Sequence, residues 1–413
     1  MNSATRASAS DISLYMVAAA PILCAIFGPL LPLLIVLAGT LPPSAPRVSV
    51  PLAAAIAGIS AAALILSLAG LATRRIHSFP RAMWAPLAGL VGSQLLALAF
   101  AVDPRAGFFS VVCTLAGSLV LVASVEALTD VRVRRTFLTC YFISALAATC
   151  FALVLSIMRV PPAMFAYEHG RASGTFLQPN EFAGYLLFVI PLGLAQIAAP
   201  RWLRWIGLTS AAAGVAGLLF SVSRAAIISL ALGIVMFVRR FGRRAVLGYA
   251  LTAAIAFVIM AIVFRNVAHD PSENASRIAV WAGSLRLVQR FALTGVGPLG
   301  FHLAYPEFKL PSTSVNELHA HDLPLHILIE DGIIGLAALV WFVVASIRQA
   351  ARTGATIPPN DRERVLLFSA LGAGFLASGL QNLVDVVTTF LLIVAWPMLG
   401  LLFSLGARNE TTR

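Results

Sequence analysis

Long uninterrupted apolar runs constrain this chain more than any other feature of its sequence. A helix that crosses a bilayer needs about 17–25 predominantly apolar residues, and the chain is 59% hydrophobic and only 11% charged. No soluble domain tolerates that balance. The sequence therefore predicts an all-α polytopic membrane protein with about twelve transmembrane helices. The predicted spans are 12–41, 50–72, 82–101, 107–127, 136–159, 180–199, 203–220, 224–239, 245–264, 323–347, 364–385 and 386–405.

The basic residues indicate how these spans are oriented. The net charge is +12, and nearly all of the positive charge is arginine, since Lys309 is the only lysine. If the first run crosses once from the inside, about two thirds of the basic residues fall in cytoplasmic segments, as the positive-inside rule requires. Both termini are therefore predicted to be cytoplasmic. Membrane topology therefore accounts for most of the excess of basic residues, and we expect no nucleic-acid partner.

The predicted connections differ in length between the two sides of the membrane. Spans one to nine occupy 1–264, a long external loop covers 265–322, and 323–413 holds the last three spans with a short cytoplasmic tail. Long loops without structure of their own are usually functional or disordered. Within this loop, RIAVWAGSLRLVQRFAL at 277–293 has apolar residues at helical spacing, so we predict an amphipathic helix along the outer membrane surface. Any chemistry is expected to face outward.

Ionisable residues gather where the tenth predicted span begins, in ELHAHDLPLHILIEDGIIGL at 317–336. His321 lies at the predicted helix start, where an imidazole in contact with water suits a general base. Asp322 fits the helix N-cap, and a four-residue spacing places Asp322, His326 and Glu330 along one side of the helix. An ionisable group inside a span usually faces a polar interior. We therefore predict that these three residues support His321.

The same residues leave a metal site open as an alternative. His319, His321 and His326 together with Asp322 offer ligands that zinc uses. Their spacings do not match the four-residue separation of the two histidines in HExxH. General-base chemistry without a metal is the preferred hypothesis, and a purely structural role for the histidines is the third alternative.

Three arginines on the predicted outer side are candidates for binding phosphate. Arg224 stands at the outer end of the eighth predicted span, in a short connection where a positive charge has no topological use. A guanidinium is permanently charged and forms paired hydrogen bonds with phosphate, although an arginine can also simply reach the headgroup level. Arg171 and Arg277 are weaker candidates for the same role.

One glycine-rich motif is predicted to be structural. GVGPLG at 295–300 matches the dinucleotide-binding pattern G-x-G-x-x-G. That pattern binds a cofactor only between a strand and a helix, whereas here a predicted helix precedes it and Pro298 lies inside. We predict a turn that redirects the chain.

Four stretches follow one another in an order typical of a known family. They are GRASGTFLQPNEFAGYLLFVIPL at 170–192, SVSRAAIISL at 221–230, SRIAVWAGSLRLVQRFALTGVGPLGF at 276–301 and HDLPLHILIEDGIIG at 321–335. Together they resemble the O-antigen ligase and polymerase family of bacterial inner membranes. By this resemblance the family's histidine falls on His321 and its two arginines fall on Arg224 and Arg277. The chain departs from the family at Asp322, where an amide or serine is usual; an acid there is expected to raise the pKa of His321.

The resemblance implies a glycosyltransferase of the GT-C type that is metal-independent, inverting and free of cofactors. Its donor would be a glycan linked to undecaprenyl diphosphate, and its acceptor a hydroxyl of the lipid A-core, at the periplasmic face of the inner membrane. An O-antigen polymerase, with a second lipid-linked glycan as acceptor, is the alternative within the family. A solute transporter is a further alternative, although transporters bind near mid-membrane and the polar residues here cluster at one face.

Overall fold

The protein is almost entirely α-helical. The computed structural model describes residues 9–29, 58, 61–62, 65–72, 76–158, 166–167, 170–176, 178–263, 271–311 and 317–407. In chain order the elements are α1 (Ala9–Phe27), α2 (Trp84–Leu98), α3 (Pro104–Ala127), α4 (Val131–Met158), β1 (Ala166–Tyr167), β2 (Arg171–Ala172), α5 (Pro179–Ala195), α6 (Arg201–Ser221), α7 (Arg224–Gly233), α8 (Val235–Val238), α9 (Arg243–Val263), α10 (Pro271–Phe291), α11 (Phe301–Phe308), α12 (Leu323–Thr356), α13 (Arg362–Gln381) and α14 (Thr388–Ser404). Short 3-10 turns at Arg81–Met83, Gln196–Ala198 and Arg239–Phe241 extend neighbouring helices.

Six helices in the described part of the chain are long and apolar enough to cross a membrane. They are α3, α4, α5 with its 3-10 extension, α6, α12 and α13. An all-α membrane protein is thereby confirmed, whereas twelve spans are not. The predicted span 224–239 is divided between α7 and α8, which have 10 and 4 residues. Residues 30–41 of the first predicted span and about half of the second lie outside the described residues.

Helix α5 forms the centre of the bundle. Almost all of its side chains are buried, and it packs against α6 on one side and α13 on another. Gly193 and Gly207 allow α5 and α6 to approach closely, because a Cβ on Gly193 would lie 2.4 Å from the carbonyl oxygen of Gly207. Small residues serve this purpose at helix contacts in membranes. Because α5 is packed between other helices, the position of its N-terminus is fixed. This N-terminus carries part of the candidate site.

A second, smaller hydrophobic cluster joins the predicted outer loop to the start of α12. Its buried members come from α10, the turn after it, α11, the residue before His321 and the second turn of α12; they are Val280, Leu287, Val296, Phe301, Tyr305, Ala320 and Ile329. The predicted helix in this loop is confirmed as α10. Because Ala320 is fully buried in this cluster, the cluster determines where the next residue, His321, lies.

The GVGPLG segment at 295–300 is a turn that packs against a break in α12 and forms hydrogen bonds with the backbone there. The break is at Gly332, whose backbone has φ 68° and ψ −172°. A Cβ on Gly295 would lie 2.1 Å from the carbonyl oxygen of Glu330, so only glycine permits this approach. The backbone groups that the break frees are paired across it: Val296 N–H with Ile329 O at 2.8 Å, Gly297 N–H with Glu330 O at 2.9 Å, and Ile333 N–H with Ala292 O at 2.8 Å.

Candidate functional site

Several helix ends meet at one end of the bundle and create the candidate site. The backbone N–H of Leu323, at the start of α12, donates to the carbonyl of Asn382 just after α13, at 2.8 Å. The side-chain amide of Gln381 donates to the carbonyl of Asn180 at the start of α5, at 3.0 Å. These bonds bring α5, α12 and the segment after α13 together.

His321 lies immediately before α12 with both ring nitrogens facing carboxylates. Its Nδ1 is 3.4 Å from Oδ1 of Asp385, and its Nε2 is 3.3 Å from Oε2 of Glu317. The backbone of His321 has φ 52°, which is uncommon for a residue other than glycine. Helix α12 starts in the middle of the ionisable stretch, so the N-terminal position predicted for His321 is confirmed.

The two carboxylates control the protonation of His321. Burial by itself lowers the pKa of this imidazole, but the hydrogen bonds and negative charges of Asp385 and Glu317 raise it to about 9. Asp322 acts elsewhere, because its carboxylate accepts the N–H of Leu325 at 2.7 Å. The N-cap predicted for Asp322 is confirmed. The prediction that Asp322 raises the pKa of His321 is corrected, since the responsible groups are Asp385 and Glu317.

Asp385 connects His321 with two other parts of the site. Its side chain is 4% exposed and accepts hydrogen bonds from the amide of Asn180 at 2.7 Å and from the N–H of Val386 at 2.9 Å. Burial raises the pKa of this carboxyl, but the hydrogen bond and charge of His321, with weaker help from Arg277, hold it well below its usual range. Asp385 is therefore a permanent negative charge at the centre of the site.

Arg277 reaches this centre from α10. Its guanidinium donates to the carbonyl of Val384 at 3.2 Å and lies 3.9 Å from Oδ2 of Asp385. The side chain remains 30% exposed, so part of the guanidinium is accessible. The structure thus places Arg277, a predicted phosphate-binding residue, beside the carboxylate that contacts His321.

Arg171 approaches the same centre through Asn180. It lies on β2, which pairs antiparallel with β1. Its Nε donates to the carbonyl of Ser221 at 2.9 Å, and its terminal nitrogen donates to Oδ1 of Asn180 at 3.3 Å. Since Asn180 also binds Asp385, Arg171 belongs to the network that includes His321.

Arg224 lies beside the network but does not join it by an ion pair. It is the first residue of α7 and is exposed. Within the described residues, no carboxylate forms an ion pair with it. The turn before it is anchored, because Arg171 binds Ser221 and Val222 has a left-handed backbone with φ 53°. The structure therefore presents the Arg224 guanidinium as an available positive charge.

His326 and Glu330 lie together on α12 and face the GVGPLG turn. The carboxylate of Glu330 is buried and accepts the N–H groups of Leu299 and Phe301, at 2.9 and 3.1 Å. His326 Nε2 lies 3.6 Å from this carboxylate. These residues hold the GVGPLG turn and the start of α11 in place. Asp322 caps the helix as predicted, and the supporting roles of Asp322, His326 and Glu330 in the chemistry stay predictions.

Three side chains at the centre have the composition of a metal site. His319, His321 and Asp385 each offer one ligand atom, and these atoms lie within 4.8 Å of one another. The set differs from the predicted one, because Asp385 replaces Asp322 and His326. In this arrangement both nitrogens of His321 are engaged by the carboxylates of Asp385 and Glu317. We therefore assign no metal ligands here.

Two residues of the site, Asp385 and Glu317, were missed as functional candidates. Asp385 was placed inside the predicted span 364–385, but α13 ends at Gln381, which leaves 382–387 free to fold over the site. A single acid in an apolar stretch is a functional signal by itself. Glu317 lies in the ionisable stretch four residues before His321, and that proximity was the available signal.

The arrangement combines an imidazole, two carboxylates and accessible guanidinium groups. Guanidinium groups can neutralise an anionic leaving group, and an imidazole–carboxylate pair can position and deprotonate a hydroxyl. A comparison with known families agrees with this chemistry: residues 208–340 match the family described as O-Antigen ligase. No curated protein matches the chain.

The matched region contains Arg224, Arg277 and His321, while Arg171 and Asp385 lie outside it. The match to this family supports glycan transfer of the ligase or polymerase type in general, with lipid-linked and lipid substrates. The resemblance found in the sequence is thereby confirmed over residues 208–340, which match the O-antigen ligase family.

Proposed function

We propose that this protein is an O-antigen ligase. It transfers a glycan from undecaprenyl diphosphate to a hydroxyl of the lipid A-core, at the periplasmic face of the bacterial inner membrane. The reaction is a direct displacement that inverts the anomeric centre, and it uses neither a metal nor a cofactor.

One observation carries this proposal: His321 and Arg277 meet at the same carboxylate. Asp385 lies 3.4 Å from the imidazole and 3.9 Å from the guanidinium. A glycosyl diphosphate already has a good leaving group. The enzyme therefore has to neutralise the charge that develops on the diphosphate and to position the acceptor hydroxyl. A cation and a hydroxyl-activating group within one network meet both requirements.

The other two arginines complete the proposed diphosphate site. Arg224 is exposed at the start of α7, and Arg171 fixes the turn that precedes it. We assign Arg224 and Arg277 to the diphosphate oxygens directly. Arg171, which is engaged by Ser221 and Asn180, holds both sides of this site together.

Transfer by the purified protein tests the function. The protein is reconstituted with lipid-linked glycan and lipid A-core, and the expected product is glycan-bearing lipid A-core. Extension of one lipid-linked glycan by another would identify a polymerase instead. Uptake of a solute into protein-containing vesicles, without any transfer product, would identify a transporter.

A further inference from the structure

We propose that Glu317 takes the proton from the acceptor hydroxyl, while His321 remains an imidazolium throughout the reaction. This inference rests on the proposed transferase function and names the proton acceptor within it. The sequence alone favours His321 as the base, but the surroundings of its two nitrogens favour the neighbouring carboxylate.

The positions of the two carboxylates require a doubly protonated ring. A neutral imidazole has one N–H donor and one nitrogen lone pair. At His321 both nitrogens lie within 3.4 Å of carboxylate oxygens, so a neutral ring would direct its lone pair at an anion. Two N–H groups remove that repulsion and form two charge-assisted hydrogen bonds. The resting His321 therefore has no lone pair with which to accept a proton.

Of the two carboxylates, Glu317 is the one open to a substrate. Asp385 is 4% exposed and already accepts hydrogen bonds from Asn180 and Val386. The Glu317 side chain is 22% exposed. A hydroxyl can thus reach Glu317, whereas Asp385 is enclosed and serves to orient the imidazolium.

The charged groups around Glu317 are consistent with a carboxylate that stays ionised. Its hydrogen bond to His321 lowers its pKa, burial opposes this effect, and the charge of Arg277 adds to the lowering. His319, on the same loop, is kept neutral because burial and the charge of His321 lower its pKa to about 3. A weak base suffices here, because the diphosphate is a good leaving group and the hydroxyl loses its proton only as the new bond forms.

The acceptor oxygen forms a bond to the anomeric carbon while the bond from that carbon to the phosphate oxygen breaks. The electron pair of the broken bond leaves with the diphosphate, whose charge the arginines neutralise. The hydroxyl proton moves to a carboxylate oxygen of Glu317, which later releases it to water. His321 keeps both protons and stabilises Glu317 before and after the transfer.

The pH profile of transfer separates the two bases. If Glu317 is the base, the rate is nearly constant between about pH 6.5 and 8 and falls only as His321 deprotonates, near its pKa of about 9. If neutral His321 is the base, the rate rises about tenfold per pH unit over the same interval. A rise of that size would overturn the proposal.

Substitutions of Glu317 provide the second test. Glu317→Gln should reduce transfer by about 10²–10⁴-fold, and Glu317→Asp should recover part of the loss. Thermal unfolding and donor binding, measured on the same samples, separate this effect from loss of folded protein. Full activity of Glu317→Gln beside an active wild type would refute Glu317 as the base and leave the transferase function intact. An inactive wild type would instead refute the function itself.

A separate observation concerns the opposite end of α13. From Arg362 to Gln381 this helix has 20 residues, which corresponds to about 30 Å, the thickness of a bilayer core. At the Arg362 end lies a cavity of about 610 Å³, lined by the 3-10 turn at Arg239–Phe241, the end of α12 and the start of α13. The cavity is therefore at the membrane face opposite the His321 site.

Two arginines in this cavity carry charges that no carboxylate neutralises. Arg240 donates its Nε to the hydroxyl of Ser369 at 2.8 Å, which leaves its terminal nitrogens available. The nearby acids are occupied, since Asp361 binds Arg364 at 2.5 Å and Glu363 binds Arg135 at 3.0 Å. Among the described residues neither Arg240 nor Arg362 forms an ion pair. The rest of the lining is mainly apolar and includes Phe241, Ile357, Pro359 and Phe368.

We infer that this cavity binds the phosphodiester headgroup of an anionic phospholipid. Basic pockets between helices at a membrane surface bind such headgroups. The two arginines match the charge of a phosphodiester, and the apolar walls match the upper acyl chains. A free phosphate would use the arginines but gain nothing from the apolar walls.

Lipid-dependent thermal unfolding tests this site. In detergent, phosphatidylglycerol should raise the Tm of the wild type above its value with phosphatidylcholine. The variant with both Arg240→Gln and Arg362→Gln should lose most of that difference, while Arg348→Gln, at an exposed arginine outside the cavity, should retain it. Because the difference is taken within each variant, a lower starting Tm does not obscure it.

Two outcomes would overturn the lipid site. One is an undiminished phosphatidylglycerol effect in the double variant. The other is an equal rise in Tm with inorganic phosphate in phosphatidylcholine, which would identify a site for free anions.

Discussion

Oδ1 of Asp385 lies 3.4 Å from Nδ1 of His321, although 64 residues separate them in the chain. The segment after α13 folds back over the start of α12, and the hydrogen bond from Leu323 to Asn382 fixes this arrangement. One buried carboxylate thereby orients the imidazole, binds Asn180 and faces Arg277. The roles proposed for His321 and Arg277 in glycan transfer both depend on these contacts of Asp385.

His321→Ala should remove nearly all transfer. The imidazolium stabilises the proton-accepting carboxylate of Glu317, so its removal should cost about as much as loss of the base itself, about 10²–10⁴-fold. Removal of the ring also takes the imidazolium away from the buried carboxylate of Asp385, which destabilises the fold, so the folded fraction and donor binding are measured on the same samples. Transfer rates of purified variants provide the measurement.

The two other histidines of the 317–336 stretch, His319 and His326, serve as matched comparisons for His321→Ala. His319→Ala should be mild, and His326→Ala intermediate, since His326 lies 3.6 Å from the Glu330 carboxylate that holds the turn before α11. If His321→Ala transfers glycan normally, or loses activity only in proportion to folded protein, the histidine is structural.

At Arg224, charge should matter more than shape. Arg224→Ala should abolish transfer, with a loss of about 2–4 kcal/mol as for other electrostatic stabilisers of a transition state. Arg224→Lys should retain part of the activity, because it keeps the positive charge but not the planar fork. Arg286→Ala, at an exposed position on α10, is the control and should behave like the wild type. Near-wild-type transfer by Arg224→Ala would refute its role at the diphosphate.

Much of the site could be predicted from local sequence. Periodicity and capping rules located the helix over 277–293 and the N-cap at Asp322, because both depend on residues only a few positions apart. His321 was found for the same reason, since the start of a helix can be recognised from its own neighbours. The turn at GVGPLG followed from its glycines and Pro298.

The contacts between distant segments could not be predicted in this way. An apolar run does not reveal where its helix ends, so 382–385 were assigned to one predicted span and 386–387 to the next, and Asp385 was missed. The break at Gly332 is a second example: it exists because the turn at Gly295 fills it, and no local pattern encodes that crossing. The predicted number of spans depended on run length, which cannot detect the division between α7 and α8.

Glu330→Gln should destabilise the protein without changing the reacting groups. The carboxylate accepts the N–H groups of Leu299 and Phe301, and an amide can replace only one of its two acceptor oxygens. A buried donor left without a partner costs about 1–3 kcal/mol, so the Tm should fall. Glu307→Gln, at an exposed position on α11, is the matched control. An unchanged Tm for Glu330→Gln would show that the turn is held by its backbone bonds alone.

Transfer should persist in excess chelator. The proposed mechanism neutralises the diphosphate with Arg224 and Arg277, so removal of divalent ions should leave the rate unchanged. Activity that disappears with chelator and returns with an added metal would assign a metal to His319, His321 and Asp385. If added metal then failed to restore transfer by the His319→Ala variant, His319 would be identified as a ligand.

The stability of the protein should decrease as the pH rises above neutrality. The pKa of His321 is raised to about 9 in the folded protein, against about 6.5 for an unfolded histidine. A raised pKa adds stability that is complete below the unfolded value and is lost as the pH passes through the folded value. The Tm in detergent should therefore fall between about pH 6.5 and 9. Replacing both partners, by Glu317→Gln and Asp385→Asn together, should remove this part of the pH dependence. An equally steep fall in the double variant would show that another group is responsible.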